Sequence, residues 1–170
     1  MLQQITDVLE RGLRVKGKTV HCPEEAVIVP GIASADALDA LDVVGGIFVI
    51  EVPRSGYVMG ARLYDPSDQG SALRLHVFKR RFAIAASDAA WSPSDDDLYN
   101  ELFVLNFTAY EDEINGQLSE IELTKGYSAR EEKFYCALST PAGSTPTYTS
   151  PAWPRVQLII ASDDPDWVER

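Results

Sequence analysis

The chain has 170 residues, of which 45% are hydrophobic and 24% are charged. These values are typical of one folded globular domain that needs neither a disulfide nor a metal ion for stability. The formal net charge of −11 makes the surface repel phosphate backbones and anionic membranes, so we expect neither a nucleic-acid nor a membrane partner. The sequence contains no stretch of 18 uninterrupted apolar residues and no pattern of a secretory signal, which predicts a soluble protein made in a reducing cytoplasm.

Residues 1–33 are predicted to form an N-terminal arm or add-on. Their first apolar residues recur close to a helical period, although a β interpretation competes with the helix. A strand pair is predicted next, at 19–22 and 26–29, broken by Pro23. The arm is locally basic, with cationic side chains that could contact a partner: Arg11, Arg14, Lys16 and Lys18.

Residues 34–170 are predicted to form one β-sandwich domain. Short stretches rich in β-branched and aromatic residues alternate with turn signals at the spacing of an all-β sandwich or barrel. No helical pattern long enough for a βαβ unit separates them, which argues against a parallel sheet. The count is about eight strands, and the predicted fold is an antiparallel, jelly-roll-like sandwich. The strands of the domain are expected at 47–52, 57–64, 73–78, 102–107, 118–123, 133–138 and 156–161.

A short helical turn is predicted near residues 92–99, between the two most strongly β-like stretches. Ser92 can cap it, Pro93 suits a first helical position, and Asp95 follows the cap by three residues. The acidic run Asp95-Asp96-Asp97 suits the positive end of a helix dipole. It lacks the ligand spacing of an EF-hand loop, so we expect no calcium site here.

The residues that usually build catalytic or metal sites are sparse. His21 and His76 lie on different segments, and His76 falls on the polar phase of its strand, which predicts an ordinary surface or edge histidine. Cys22 and Cys136 have no partner at metal or redox spacing and are predicted to be packing thiols. We therefore expect a non-enzymatic protein without a cofactor or a metal.

Two tryptophans lie in predicted loops. Trp91 either closes one end of the sandwich core or contacts a partner, and the pattern leaves both roles open. Trp153 is expected to close the core.

A family pattern is formed by the order and spacing of a set of short segments: Asp42–Gly46, Ser55–Tyr57, Leu73–Phe78, Asp88–Trp91, Ser94–Leu98, Phe134–Leu138, the Thr/Ser/Pro-rich loop that follows, and Val156–Leu158. In this pattern, over residues 34–164, the chain resembles the small β-sandwich head decoration, or cement, proteins of tailed bacteriophages. It departs from the family in having tryptophan at position 91, where phenylalanine is commoner, and in the additional segment 1–33.

This resemblance implies a virion structural protein made in the host cytoplasm. It would bind the outside of an assembled capsid, often as a trimer, and clamp neighbouring major capsid subunits. The candidates for contacts with the capsid or with a sister subunit are then Arg11, Arg14, Lys16, Lys18 and Trp91. The alternative is a tail-associated or surface-associated adhesin with a carbohydrate-binding sandwich, in which Trp91 and Trp153 stack on sugars.

Overall fold

The computed structural model describes residues 19–32, 37–149 and 151–164. Nearly all regular structure in them is β, because the alternating apolar residues can only be buried together if the chain is pleated. The strands are β1 (Thr19–Ile28), β2 (Val43–Glu51), β3 (Ser55–Asp65), β4 (Leu73–Phe78), β5 (Glu101–Phe107), β6 (Glu111–Glu113), β7 (Gly116–Ser128), β8 (Lys133–Ser139) and β9 (Arg155–Ser162), and one short helix, α1 (Asp95–Leu98), precedes β5.

The strands form two antiparallel sheets packed face to face. One has the order β1-β9-β3-β7-β6 and the other β2-β8-β4-β5. Without the three-residue β6, the remaining eight strands have the order of a jelly roll, in which successive strands mostly alternate between the sheets. The predicted all-β, jelly-roll-like sandwich is therefore confirmed. The short β6 is the one strand that the turn and strand patterns did not predict.

The core lies between the sheets and is made by alternate residues of each strand. In β4 the side chains of Leu73, Leu75 and Val77 are fully buried. Phe134 lies against Tyr127, with the ring centres 4.9 Å apart and the rings edge to face. Each fully buried side chain of this size contributes about 1.5–3 kcal/mol relative to an exposed one.

The N-terminal strand corrects one prediction. Residues 19–28 form one strand rather than a strand pair, because a bulge between Cys22 and Val27 accommodates Pro23 while both flanks stay paired with β9. This strand is an edge strand of the five-stranded sheet, and the domain boundary predicted at residue 33 stays a prediction. Residues 1–18, with Arg11, Arg14, Lys16 and Lys18, lie outside the described residues, and their proposed contacts stay predictions.

The helical turn predicted near 92–99 is confirmed, but its capping residue is Ser94 and not Ser92. The Ser94 hydroxyl accepts a hydrogen bond from the Asp97 backbone N–H at 3.2 Å and donates one to the Asp97 carboxylate at 2.7 Å. Both serines are followed by an aspartate after three residues, so the local pattern fits either one. No group of three or more His, Cys, Asp or Glu in the described part of the chain is arranged to hold a metal ion.

Cys136 is confirmed as a packing thiol. Its side chain is fully buried in the core, and burial raises the pKa of the thiol far above its usual range. The thiolate is therefore strongly disfavoured, and the sulfur behaves as a small apolar group. The side chain of Cys22 lies outside the described part of the structure.

Candidate functional site: the outer face of the four-stranded sheet

Two side chains on the face of β4 that points away from the core are also buried. Phe78 is fully buried and His76 is only 8% exposed. The prediction that His76 is a surface or edge histidine is therefore wrong. His76 does point away from the core, as its position in the strand predicts. However, residues 79–94, between β4 and α1, fold back over this outer face and exclude water from His76 and Phe78.

Backbone hydrogen bonds hold this covering segment in place. Residues 87–91 run beside residues 41–45 and form a short antiparallel pairing that includes a bridge between Asp42 and Ala90. Because β2 is an edge strand of its sheet, this pairing covers part of an edge that would otherwise be open. The bonds are Asp88 N to Val43 O at 3.0 Å, Val43 N to Ala89 O at 3.1 Å, Trp91 N to Leu41 O at 3.0 Å and Gly45 N to Ser87 Oγ at 3.1 Å.

Trp91 seals the apolar part of the outer face. Its ring stacks against Phe82 at 5.5 Å, and Phe82 lies 4.0 Å from Phe78 between ring centres. The indole N–H donates to the Ala83 carbonyl oxygen at 3.2 Å. These contacts favour the closing role for Trp91, and its role as a capsid or subunit contact stays a prediction. The sugar-stacking role of the alternative function also stays a prediction.

Three polar side chains from three strands meet beneath Trp91. His76 Nδ1 is 2.7 Å from Glu101 Oε1, and His76 Nε2 is 3.0 Å from Ser139 Oγ. The Trp91 ring stands edge-on to the imidazole at 5.0 Å. This network was not predicted, because the three residues are far apart in sequence and meet only through the pairing of β4 with β5 and with β8.

The hydrogen bonds connect a serine to a histidine and the histidine to a glutamate, as in the catalytic triad of some hydrolases. The surroundings of this network, however, differ from those of an active site. Ser139 is only 4% exposed. The backbone N–H of Thr140, the residue after it, donates to Asp42 O at 3.0 Å and is not free to stabilise an oxyanion. The three groups satisfy one another, and the arrangement acts as a buried polar network that fixes β4 between its neighbours.

The electrostatic environment keeps His76 neutral. Burial lowers the pKa of the His76 imidazole, Arg74 acts in the same direction, and the carboxylate of Glu101 opposes both without overcoming them. In the neutral ring, Nδ1 carries the proton and donates to Glu101, while Nε2 accepts from the Ser139 hydroxyl.

Protonation of His76 should therefore destabilise the fold. Because the pKa is lower in the folded protein than the value of about 6.5 for an exposed histidine, the unfolded chain takes up the proton first, and stability falls as pH drops below about 6.5. The free energy of unfolding falls by at most about 1.4 kcal/mol per pH unit while the folded ring stays neutral. Urea unfolding between pH 7.5 and 5.5 should show a smaller loss for His76→Gln than for the wild type. Equal losses in both proteins would contradict this assignment.

The other side of the sandwich presents an open strand edge. β7 pairs with β3 along most of its length, but with β6 only at Gly116, Gln117 and Leu118. From residue 119 to residue 126 no described strand pairs with its outer side. Such an edge offers a row of backbone donors and acceptors to a partner strand.

Trp153 packs against the main core, as predicted. No helix among the described residues is long and apolar enough to cross a bilayer. Comparison with known proteins produces no match, either to a protein-family profile or to a curated protein.

Proposed function

We propose that the chain is a non-enzymatic structural protein of a phage virion, which binds the outside of the assembled capsid and clamps neighbouring major capsid subunits. Two arguments support the proposal: the resemblance to head decoration proteins, and a jelly-roll architecture that viral capsid and lectin domains also use. The observation that carries it is the open edge of β7, to which an extended capsid segment can add as a further strand.

The edge is suited to a specific partner. Its exposed side chains include Glu120 and Glu122, and Glu120 is already paired with Arg62 at 2.6 Å. Charged residues on an edge oppose unselective pairing with other acidic edges, including those of further copies of this chain. A capsid segment with basic residues would gain both the backbone hydrogen bonds and the favourable charge.

The direction of the backbone groups follows from the β6–β7 hairpin. Glu113 and Gly116 pair across its two-residue loop, so the N–H and C=O groups of Gly116 point towards β6 and away from β3. Every second residue after Gly116 directs its N–H and C=O groups the same way. Glu122 is one of these residues, because it lies six positions after Gly116 and before the register shift in β7. Proline at position 122 would therefore remove an outward N–H group without removing a bond to β3.

We expect Glu122→Pro to fold but to bind capsids at least about tenfold more weakly than the wild type. The binding partner is the capsid of the same phage prepared without this protein, and occupancy is measured by co-sedimentation and electron microscopy. Glu122→Ala is the matched control, because it removes the same charge but keeps the N–H, and it should retain binding within about twofold.

Two results would contradict these statements separately. Full occupancy by a folded Glu122→Pro variant would show that the β7 edge is not the contact. Absence of the wild-type protein from purified particles, or its location in a tail fibre or baseplate, would overturn capsid decoration altogether.

A further inference from the structure

Two exposed patches of opposite charge lie at opposite ends of the sandwich, one after β4 of the four-stranded sheet and the other at the β6–β7 hairpin of the five-stranded sheet. We name them the basic tip, formed by Lys79, Arg80, Arg81, Leu98 and Tyr99, and the acidic hairpin, formed by Glu111, Asp112, Glu113 and Ile114. Each contains a large apolar side chain that is almost fully in water, since Tyr99 is 84% exposed and Ile114 is 97% exposed.

The basic tip is held in a fixed shape. The backbone N–H of Lys79 donates to the Asn100 carbonyl oxygen at 3.1 Å, and the Lys79 ammonium lies 5.5 Å above the centre of the Tyr99 ring. Arg80 and Arg81 are exposed, and among the described residues neither has a carboxylate within salt-bridge distance. These three consecutive cations have no acidic partner among the described residues and are available to another molecule, in a protein whose net charge is −11.

The acidic hairpin is also fixed. The Tyr64 hydroxyl donates to the Asn115 carbonyl oxygen at 2.6 Å, and the Gln117 side-chain amide donates to the Asp112 carboxylate at 2.7 Å. None of its three carboxylates forms a salt bridge within the described part of the chain. Ile114 is therefore exposed at the tip of a hydrogen-bonded hairpin, beside three carboxylates that have no cationic partner among the described residues.

The topology separates the two patches. The basic tip follows the last residue of β4, Phe78, whereas the acidic hairpin adjoins the end of β3, where a Cβ on Gly116 would lie 2.5 Å from Asp65 O. The length of β4, about 20 Å, lies between them. One molecule cannot join its own two patches, but two copies placed head to tail can.

We propose that the acidic hairpin of one copy docks on the basic tip of the next. Ile114 packs beside Tyr99 and Leu98, and the carboxylates of the hairpin face Arg80 and Arg81. Such an interface is heterologous, because it joins two different surfaces of the same protein. In a pair of copies, one acidic hairpin and one basic tip are still free to bind further copies. The assembly closes into a ring or continues as a filament, depending on the rotation between successive copies. This interface would account for the self-association that the resemblance to decoration proteins implies, and it requires no capsid.

The three aspartates of α1 restrict the direction of approach. Asp95, Asp96 and Asp97 lie at the same end of the sandwich as the basic tip, and the Asp97 carboxylate is held by the Ser94 hydroxyl. They would repel an incoming acidic hairpin. The docking direction is therefore from the side of Arg80 and Arg81.

Two double charge reversals test the interface in the purified full-length chain. Arg80→Glu with Arg81→Glu makes both patches acidic, and Glu111→Lys with Glu113→Lys makes both basic. We expect each variant alone to self-associate at least about tenfold more weakly than the wild type in sedimentation equilibrium. An equimolar mixture of the two should recover association, because each then offers a patch that complements the other. Wild-type association should weaken between about 0.05 and 0.5 M salt.

The matched control is Arg130→Glu with Arg155→Glu, which reverses two exposed cations elsewhere and should associate like the wild type. Circular dichroism and thermal unfolding confirm that every variant is folded. A wild-type chain that stays monomeric at about 0.5 mM, or a mixture that associates no better than its components, would overturn the head-to-tail interface. Neither result would bear on capsid binding, which is measured through the β7 edge.

Discussion

Replacing Phe78 by alanine should lower the free energy of unfolding by about 3–5 kcal/mol. Phe78 is fully buried on the outer face of the four-stranded sheet. Its ring lies 4.0 Å from Phe82 and 6.1 Å from Trp91 between ring centres. Truncation would remove these contacts and leave a cavity beneath the covering segment, which cannot collapse because its backbone is hydrogen-bonded to β2.

Chemical denaturation monitored by circular dichroism measures this effect. Tyr99→Ala is the matched control, because it also removes a large aromatic ring, but one that is 84% exposed. We expect that control to change stability by no more than about 0.5 kcal/mol. A loss of less than about 1 kcal/mol for Phe78→Ala would mean that residues 79–94 do not seal the outer face.

Replacing Gly45 by alanine should cost about 3–4 kcal/mol. The φ angle of Gly45 is +77°, which is strained for any residue with a Cβ, and a Cβ there would lie 2.5 Å from Pro30 O and 2.8 Å from Val29 Cγ1. The left-handed conformation accounts for about 1–2 kcal/mol and the steric overlap for the rest. The same position donates its N–H to Ser87 Oγ, so a shift of the backbone would also loosen the covering segment.

Gly143→Ala separates the two contributions. The φ angle of Gly143 is +83°, but nothing lies within 4 Å of a Cβ at this position. Its substitution should therefore cost only the conformational part, about 1–2 kcal/mol. Equal losses for the two variants in denaturant unfolding would show that the contact with Pro30 is relieved at no cost.

The local pattern was sufficient to predict the strands of the domain. Leu73, Leu75 and Val77 alternate with Arg74 and His76, and the structure buries the first three in the core. Pleating makes this period a direct consequence of which face is buried, so it can be recognised within a few residues. The short β6 was missed because its residues, all acidic and exposed, carry no such period.

The polar network under Trp91 could not have been predicted in the same way. Glu101, His76 and Ser139 each look like an ordinary outward-facing residue of a strand. Whether such a residue meets water depends on what covers its face, and here the cover is a segment whose own sequence shows no strand or helix period. A signal did exist in Phe78, Phe82 and Trp91, three aromatic residues too apolar to be left jointly in water.

The prediction of β1 likewise failed where the structure depends on a distant segment. Pro23 made residues 19–29 look like two short strands, since proline cannot donate to a ladder. A bulge resolves that conflict, but only the pairing partner can show it, and the partner, β9, lies more than a hundred residues away. The choice of Ser94 over Ser92 as the helix cap is likewise local in chemistry but decided by the path of the surrounding loop.

Composition and short-range periodicity were thus enough to establish an acidic, all-β, antiparallel sandwich with a helical turn before its fifth strand. Those properties depend on neighbours in sequence and on the balance of charges, which any folded arrangement of the chain must respect. The strand order, the burial of His76 and the separation of the basic tip from the acidic hairpin were decided only by the tertiary structure. They depend on which distant segments pack together, and the free energy of that packing belongs to the contacts between segments and to no segment alone.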